Sequence, residues 1–213
     1  NIIDTISPSI ITRDITINLD ASNNAIITTS DINNGSYDNC TPITLLLSKT
    51  TFNCSDVGLN QITLTGTDDY GNSGSNIVNV IVVDNLAPTA ACKPSTIYLN
   101  ALGSATLNAS DINDGSSDNC SNQLSLSQTT FNCSSLGSNI VTLTVSDDQG
   151  LSSTCSTTVN VIDLIPPTII CKPIVISIDG SGNSSINATD INDGSYDNCS
   201  SISFSLSKSS FNC

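Results

Sequence analysis

The sequence predicts an all-β chain built as a tandem array of small sandwich repeats. Two observations carry this. Ser30 to Cys40 (Ser-Asp-Ile-Asn-Asn-Gly-Ser-Tyr-Asp-Asn-Cys) returns 80 residues later at Ser110 to Cys120, and after a further 79 residues at Asp190 to Cys199. Between the copies, apolar and polar residues alternate with a period of two, the pattern of half-buried strands. Independent markers keep the same step: Phe52-Asn53-Cys54, Phe131-Asn132-Cys133 and Phe211-Asn212-Cys213, then Pro8, Pro88 and Pro167. Cutting at the prolines gives the end of a preceding repeat (1–7), a first repeat (8–86), a second (87–165) and an unfinished third (166–213). The chain opens without Met and closes within a motif, so it reads as an excerpt from a longer polypeptide.

The first strand of each repeat carries Ile15, Ile17 and Leu19, then Ile97 and Leu99, then Ile174, Ile176 and Ile178. Ile27, Leu107 and Ile186 mark a second strand. A third carries Ile43, Leu45 and Leu47, then Leu124 and Leu126, then Ile202, Phe204 and Leu206. Ile62 and Leu64 match Val141 and Leu143, and Val78, Val80 and Val82 match Val159 and Val161. Thr, Ile and Val suit a pleated, half-buried surface, while Gly and Asn punctuate as turn formers. No helical period stands out, and the reading is an immunoglobulin-like sandwich of about six or seven strands per repeat. Phe52, Phe131 and Phe211 are expected in the core.

Composition narrows the chemistry. The 213 residues include 19 acidic ones, all Asp, against five Lys plus Arg, with no His, Met or Trp and a net charge of −14. Without His there is no imidazole base, no Ser–His or Cys–His nucleophile pair and no His-bearing zinc site. A chain this acidic is repelled by phosphate backbones, so nucleic acid is not an expected partner. No apolar run approaches the roughly 20 residues that cross a bilayer, so no membrane insertion is expected here. Paired carboxylates can cleave glycosides, but their return in every repeat argues for structure, and enzyme activity is not expected.

The nine Cys follow the repeat. Each repeat has one pair, Cys40 and Cys54, Cys120 and Cys133, or Cys199 and Cys213, and a local bridge within each pair accounts for six. Such a bridge requires the chain between its ends to fold back as a hairpin. Repeat two adds Cys92 and Cys155, whose counterparts in repeat one are Thr12 and Asn76; the two cysteines are absent together, as one bond requires. Cys171 is left unpaired by the end of the excerpt. Disulfides place the chain outside the reducing cytosol.

The Asp residues concentrate in three places. Eight lie in the Asp-Ile-Asn loops (Asp31, Asp38, Asp111, Asp114, Asp118, Asp190, Asp193, Asp197), with Asn33, Asn113 and Asn192 at the third loop position. Four lie before the last strand (Asp68, Asp69, Asp147, Asp148) and three in the linkers (Asp4, Asp84, Asp163). In an up-and-down threading these loops converge at the repeat junctions. Like charges gathered without basic partners call for a cation, and carboxylate, amide and backbone oxygens suit calcium. The spacing is not that of an EF-hand. Solvated turns, or neutralisation by Lys93 and Lys172, are the alternatives.

Asp84-Asn85-Leu86-Ala87-Pro88-Thr89-Ala90-Ala91-Cys92-Lys93, the Asp147 to Cys155 hairpin and Asp118-Asn119-Cys120 resemble HYR-type and related immunoglobulin-like repeats. More closely, they resemble the tandem repeats of large Bacteroidota cell-surface adhesins exported by the type IX secretion system, the SprB-type gliding-motility adhesins. The Asp-Asn-x-Ala-Pro linker is also similar, by a short motif, to the calcium-binding junction of cadherins. The resemblance implies an extracellular, cell-surface, filamentous stalk that carries an adhesive tip and supports attachment or gliding. Its partners would be neighbouring repeats of the same chain, with a surface or polysaccharide engaged by other parts. Two other readings stay open: a repeated carbohydrate- or protein-binding module, and a subunit of a laterally packed fibre or sheath.

Overall fold

The structure, a computed structural model, describes residues 3–213. The chain forms two compact units. One comprises the chain up to Ala90 with Ser116–Leu124 and Val145–Ser153; the other comprises Ala91–Gly115, Ser125–Thr144 and Thr154–Cys213. Both are all-β, as the alternating pattern requires.

In the first unit, β1 (Ile15–Asn18) is followed by β2 (Ala25–Ile26), α1 (Thr29–Ile32), β3 (Thr44–Leu47), β4 (Thr51–Phe52), β5 (Gly58–Thr67) and β6 (Ser73–Val83). One sheet has the order β1-β6-β5-β3, and β2 pairs with β4 in a second. β5 and β6 form a long antiparallel hairpin, Gly58 opposite Val82 and Thr67 opposite Ser73. β1 joins the far side of β6 in parallel, Ile15 opposite Val80, so the chain crosses to the other sheet after β1 instead of returning beside it. The alternation is read out directly: Ile62 and Leu64 on β5, Val78, Val80 and Val82 on β6 and Leu47 on β3 are buried, with Leu19, Ile27, Ile32 and Phe52 closing the core. Each such side chain contributes about 1.5–3 kcal/mol by leaving water.

The second repeat repeats the order with β7 (Ser95–Tyr98), β8 (Ser104–Thr106), α2 (Ala109–Ile112), β9 (Gln123–Leu126), β10 (Thr130–Asn132), β11 (Gly137–Ser146) and β12 (Ser152–Ile162). Its sheets are β7-β12-β11-β9 and β8-β10. Again the first strand runs parallel to the last, Ser95 opposite Val159. Leu99, Leu107, Ile112, Phe131, Val141, Leu143, Val145, Val159 and Val161 are buried. The third repeat contributes β13 (Asn183–Ser185), α3 (Ala188–Ile191) and β14 (Ser210–Asn212), with β13 and β14 antiparallel. The first two repeats are therefore immunoglobulin-like sandwiches in tandem.

Three features depart from the sequence reading. The segments carrying Ile174, Ile176 and Ile178, and Ile202, Phe204 and Leu206, form no strand, because residues 166–213 hold no counterpart of the long hairpin that β1 and β3 pair with in the first repeat. The start of each Asp-Ile-Asn loop is a one-turn helix. Its N-cap residue, Thr28, Asn108 or Asn187, donates its backbone N–H to the carboxylate of the Asp three places on, and Ile32 and Ile112 at the helix ends are wholly buried. The local bridges are also corrected. Cys54 bonds Cys120 and Cys133 bonds Cys199, each across 66 residues, while Cys40, Cys171 and Cys213 are exposed thiols. The hairpin that a Cys40–Cys54 bridge needs does not form. β3 pairs with β5 and β4 with β2, so the chain passes from one sheet to the other without reversing. Antiparallel to β5, β3 starts opposite Thr67, and the chain then continues toward the Gly58 end. Cys40 and Cys54 consequently lie at opposite ends of the sandwich.

Candidate functional site

The first functional element is the bridge from each repeat to the next. Cys54 opens a short 3-10 turn, Cys54–Asp56, whose N-cap Asn53 accepts the Ser55 backbone N–H through its side chain at 2.9 Å. Cys133–Ser135 forms the same turn after Asn132. The receiving cysteine follows an Asp-Asn pair: Asp118 Oδ2 accepts the N–H groups of Cys120 and Ser121 at 2.9 and 3.2 Å, which fixes the turn that presents Cys120. The Cα atoms stand 5.3 Å apart at Cys54–Cys120 and 5.0 Å at Cys133–Cys199, within the range a disulfide spans. Asn119 locks the first bridge in place. Its Nδ2 donates to Asp84 Oδ1 at 3.2 Å and to the Asp20 carbonyl at 3.4 Å. Asn198 does the same for the second, reaching Asp163 Oδ1 and the Asn100 carbonyl. Cys92 and Cys155 bond to each other within the second repeat, the pair that joint absence from repeat one indicated.

The second element is acidic. Asp84, Asp118 and Asp147 each bring a carboxylate oxygen within 4.8 Å of the others, and Asp4, Asp38 and Asp68 do the same. Each set takes one Asp from a linker, one from the end of an Asp-Ile-Asn loop and one from the turn between the two long strands. Every one of these carboxylates commits one oxygen to its own backbone turn. Asp84 Oδ1 accepts Leu86 N–H, Asp147 Oδ1 accepts Gln149 and Leu151 N–H, and Asp68 Oδ1 accepts Tyr70 and Asn72 N–H.

The remaining Asp and Asn side chains of the sequence-derived set do other work. Asp31, Asp111 and Asp190 accept the N-cap N–H of their one-turn helices at 2.7–2.8 Å. Asn33 and Asn192 accept Ser36 and Ser195 N–H, and Asn113 bridges Cys92 through the backbone. Asp148 accepts Ser121 Oγ at 2.8 Å. Asp69 receives its turn by donating its own N–H to Thr41 Oγ1, and Asp114 and Asp193 donate theirs to Ala91 and Ile170. Asp163 pairs with Asn198, and Asp197 accepts Cys199 and Ser200 N–H, which holds its carboxyl below the usual range. Lys93 and Lys172 donate their backbone N–H to Ile112 and Ile191. The ion pair among the described residues is Lys49–Asp56, in neither cluster. Sequence reasoning missed the helix N-caps; the Thr-x-x-Asp-Ile and Asn-x-x-Asp-Ile spacing was the available signal.

No family model and no curated protein matches the chain. Among solved structures it is similar to a titin I67–I69 fragment carrying Glu-to-Ala substitutions, at 12% identity and TM-score 0.42 over 73% of this chain and 65% of that one. It thus spans just under two thirds of that fragment. It is also similar to human mucin-like protocadherin EC1-2 (11% identity, TM-score 0.40, 73% and 98% covered) and Drosophila N-cadherin EC1-4 (13%, 0.40, 74% and 50%). The fold and its bridges define the class on their own: tandem immunoglobulin-like repeats, disulfide-bonded from one repeat to the next.

Proposed function

We propose that the chain is a load-bearing connector, a run of stalk repeats in a filamentous cell-surface adhesin that holds an adhesive tip away from the cell. The observation that carries this is the stagger of the bridges. With Cys54 bonded to Cys120 and Cys133 to Cys199, tension enters a repeat at one cysteine and leaves at the other. It then passes to the next repeat through sulfur. The covalent load path between the bridges is the segment 120–133, and the equivalent segments are 40–54 and 199–213. The linkers and the long hairpins β5–β6 and β11–β12 are enclosed in closed loops that cannot be drawn out. By repeat equivalence, Cys40 takes the receiving role of Cys120, and Cys213 takes the donating role of Cys54, each toward a further repeat.

Three disulfides suit an oxidising, extracellular setting. The resemblance of the Asp84 to Lys93 linker to SprB-type repeats supports the surface-adhesin reading, with export by type IX secretion and a part in gliding as its finer form.

The test is single-molecule extension of the full chain, oxidised and reduced. Each bridge hides about 220 Å of extended chain at ~3.4 Å per residue, so reduction should lengthen the final extension by roughly twice that amount. Equal extensions would overturn the load path. A binding array would instead show affinity for a polysaccharide or protein that rises with repeat number, and that result in place of the length change would replace the connector reading.

A further inference from the structure

We infer that Asp84, Asp118 and Asp147 form a site for a hard divalent cation, calcium. The site follows from unfinished bonding as well as from charge. Asp84 is 2% exposed and Asp147 7%. With one oxygen of each carboxylate held by a backbone turn, the other is left buried without any hydrogen-bond partner: Asp84 Oδ2, Asp118 Oδ1 and Asp147 Oδ2. Buried carboxylate acceptors without donors are costly. Asp84 and Asp147 also line a cavity of about 240 Å³ beside Cys54 and Cys120.

The donor set selects the metal. All three groups offer oxygen, the neighbouring sulfurs are consumed in a disulfide, and the chain has no His, so soft and borderline metals find no preferred ligand. Calcium takes six to eight oxygens at about 2.3–2.6 Å, so ligands on opposite sides of it stand about 5 Å apart. Carboxylate oxygens within 4.8 Å of one another fit that sphere. Magnesium needs a tighter octahedron and keeps its water.

The second acidic set shows what closing the site looks like. At Asp4, Asp38 and Asp68, Asp38 Oδ1 is again unpartnered, while the free Cys40 thiol faces Asp4. The third, Asp68 Oδ2, accepts the Asn72 side-chain amide at 2.7 Å, and the same amide reaches the Asp4 carbonyl at 3.1 Å. The residue in the place of Asn72 in the second repeat is Leu151, which brings no side-chain donor. One neutral amide therefore occupies a ligand position in the first set that is open in the second. Calcium fills Asp84–Asp118–Asp147 first, and the residue at position 72 or 151 sets the affinity of its repeat.

The test is calorimetric titration of the oxidised full chain with calcium chloride and, separately, magnesium chloride, with melting temperature as a second readout. One tight calcium equivalent and a raised melting temperature are expected. Leu151→Asn should weaken that equivalent at least 10-fold, Asn72→Leu should add a second, weaker one, and Asp147→Asn should abolish the first. No calcium heat with an unchanged melting temperature would overturn the site, as would a Leu151→Asn chain that binds like the parent, or magnesium binding as tightly as calcium. A non-reducing peptide map of the same samples reports the bridges, so the cation site and the load path fail or stand separately.

Discussion

The side-chain amide of Asn76 donates to the Thr12 hydroxyl at 3.2 Å, at the place where the next repeat joins Cys155 to Cys92 with Cα atoms 6.1 Å apart. Both solutions tie the segment ahead of the first strand to the last strand. Asn76 adds a second bond, to the Ile10 carbonyl at 3.3 Å. An exposed hydrogen bond of this kind is worth about 0.5–1.5 kcal/mol. A disulfide closing a loop of this length reaches about 4 kcal/mol in the chain-entropy model. The double substitution Thr12→Cys with Asn76→Cys should therefore form a bridge on oxidation and raise the free energy of unfolding by about 2–4 kcal/mol. Urea unfolding of the oxidised and reduced forms checks it; identical midpoints would count against the equivalence.

Ile32 and Ile112 are fully buried at the ends of one-turn helices that sequence periodicity does not register. Truncating either to Ala leaves a cavity and should cost about 2–5 kcal/mol. Ile26, 73% exposed on a neighbouring strand, is the control, and Ile26→Ala should stay within about 0.5 kcal/mol of the parent. Thermal melts of the three variants followed by circular dichroism separate the cases. Equal effects at positions 26 and 32 would place the core elsewhere.

Acid should weaken the fold through carboxylates that serve as acceptors. The Lys49 ammonium, then the Asn53 N–H, hold the Asp56 carboxyl below its ordinary value of 3.8. The Thr28 N–H, then its hydroxyl, do the same for Asp31. A group whose folded pKa is depressed stabilises the fold above its unfolded pKa, and that contribution is lost as the pH falls through the folded value. Melting temperature should thus be level at neutral pH and fall below about 3.8. Asp56→Asn should be less stable than the parent at neutral pH, with the gap closing in acid. A gap that persists unchanged at low pH would remove Asp56 as a source of the dependence.

Gly103 sits at φ +69°, and a Cβ there would fall 2.6 Å from Cys133 Sγ. The left-handed backbone alone disfavours a side chain, and the sulfur beneath is fixed by its bond to Cys199. Gly103→Ala should cost more than about 1 kcal/mol and leave a fraction of Cys133 and Cys199 reduced. Thiol titration of the folded protein measures that fraction. Full oxidation with parental stability would show that the turn yields freely.

Much of this molecule was legible in its sequence. The repeat, the strands and their buried faces follow from a period of two, because each strand must turn the same side of its pleat to one core: Val78, Val80 and Val82 could face no other way. The Cys92–Cys155 pair was legible because Thr12 and Asn76 replace both members together. The acidic loops were visible as a group, but not which Asp enters each cluster. Asp31 and Asp111 cap helices of four residues, too short to show a 3.6 period, while Asp38 and Asp118 join Asp68 and Asp147.

Only the tertiary structure decided the partners of Cys54 and Cys133. Sequence proximity favours the nearest cysteine, 14 residues or 13 away, but proximity along a chain means proximity in space only when the chain turns back. Here it passes from β3 in one sheet to β4 in the other without reversing, carrying Cys54 to the far end of the sandwich and into reach of Cys120. Residue type set which atoms could bond, and the direction of two short strands set which ones do.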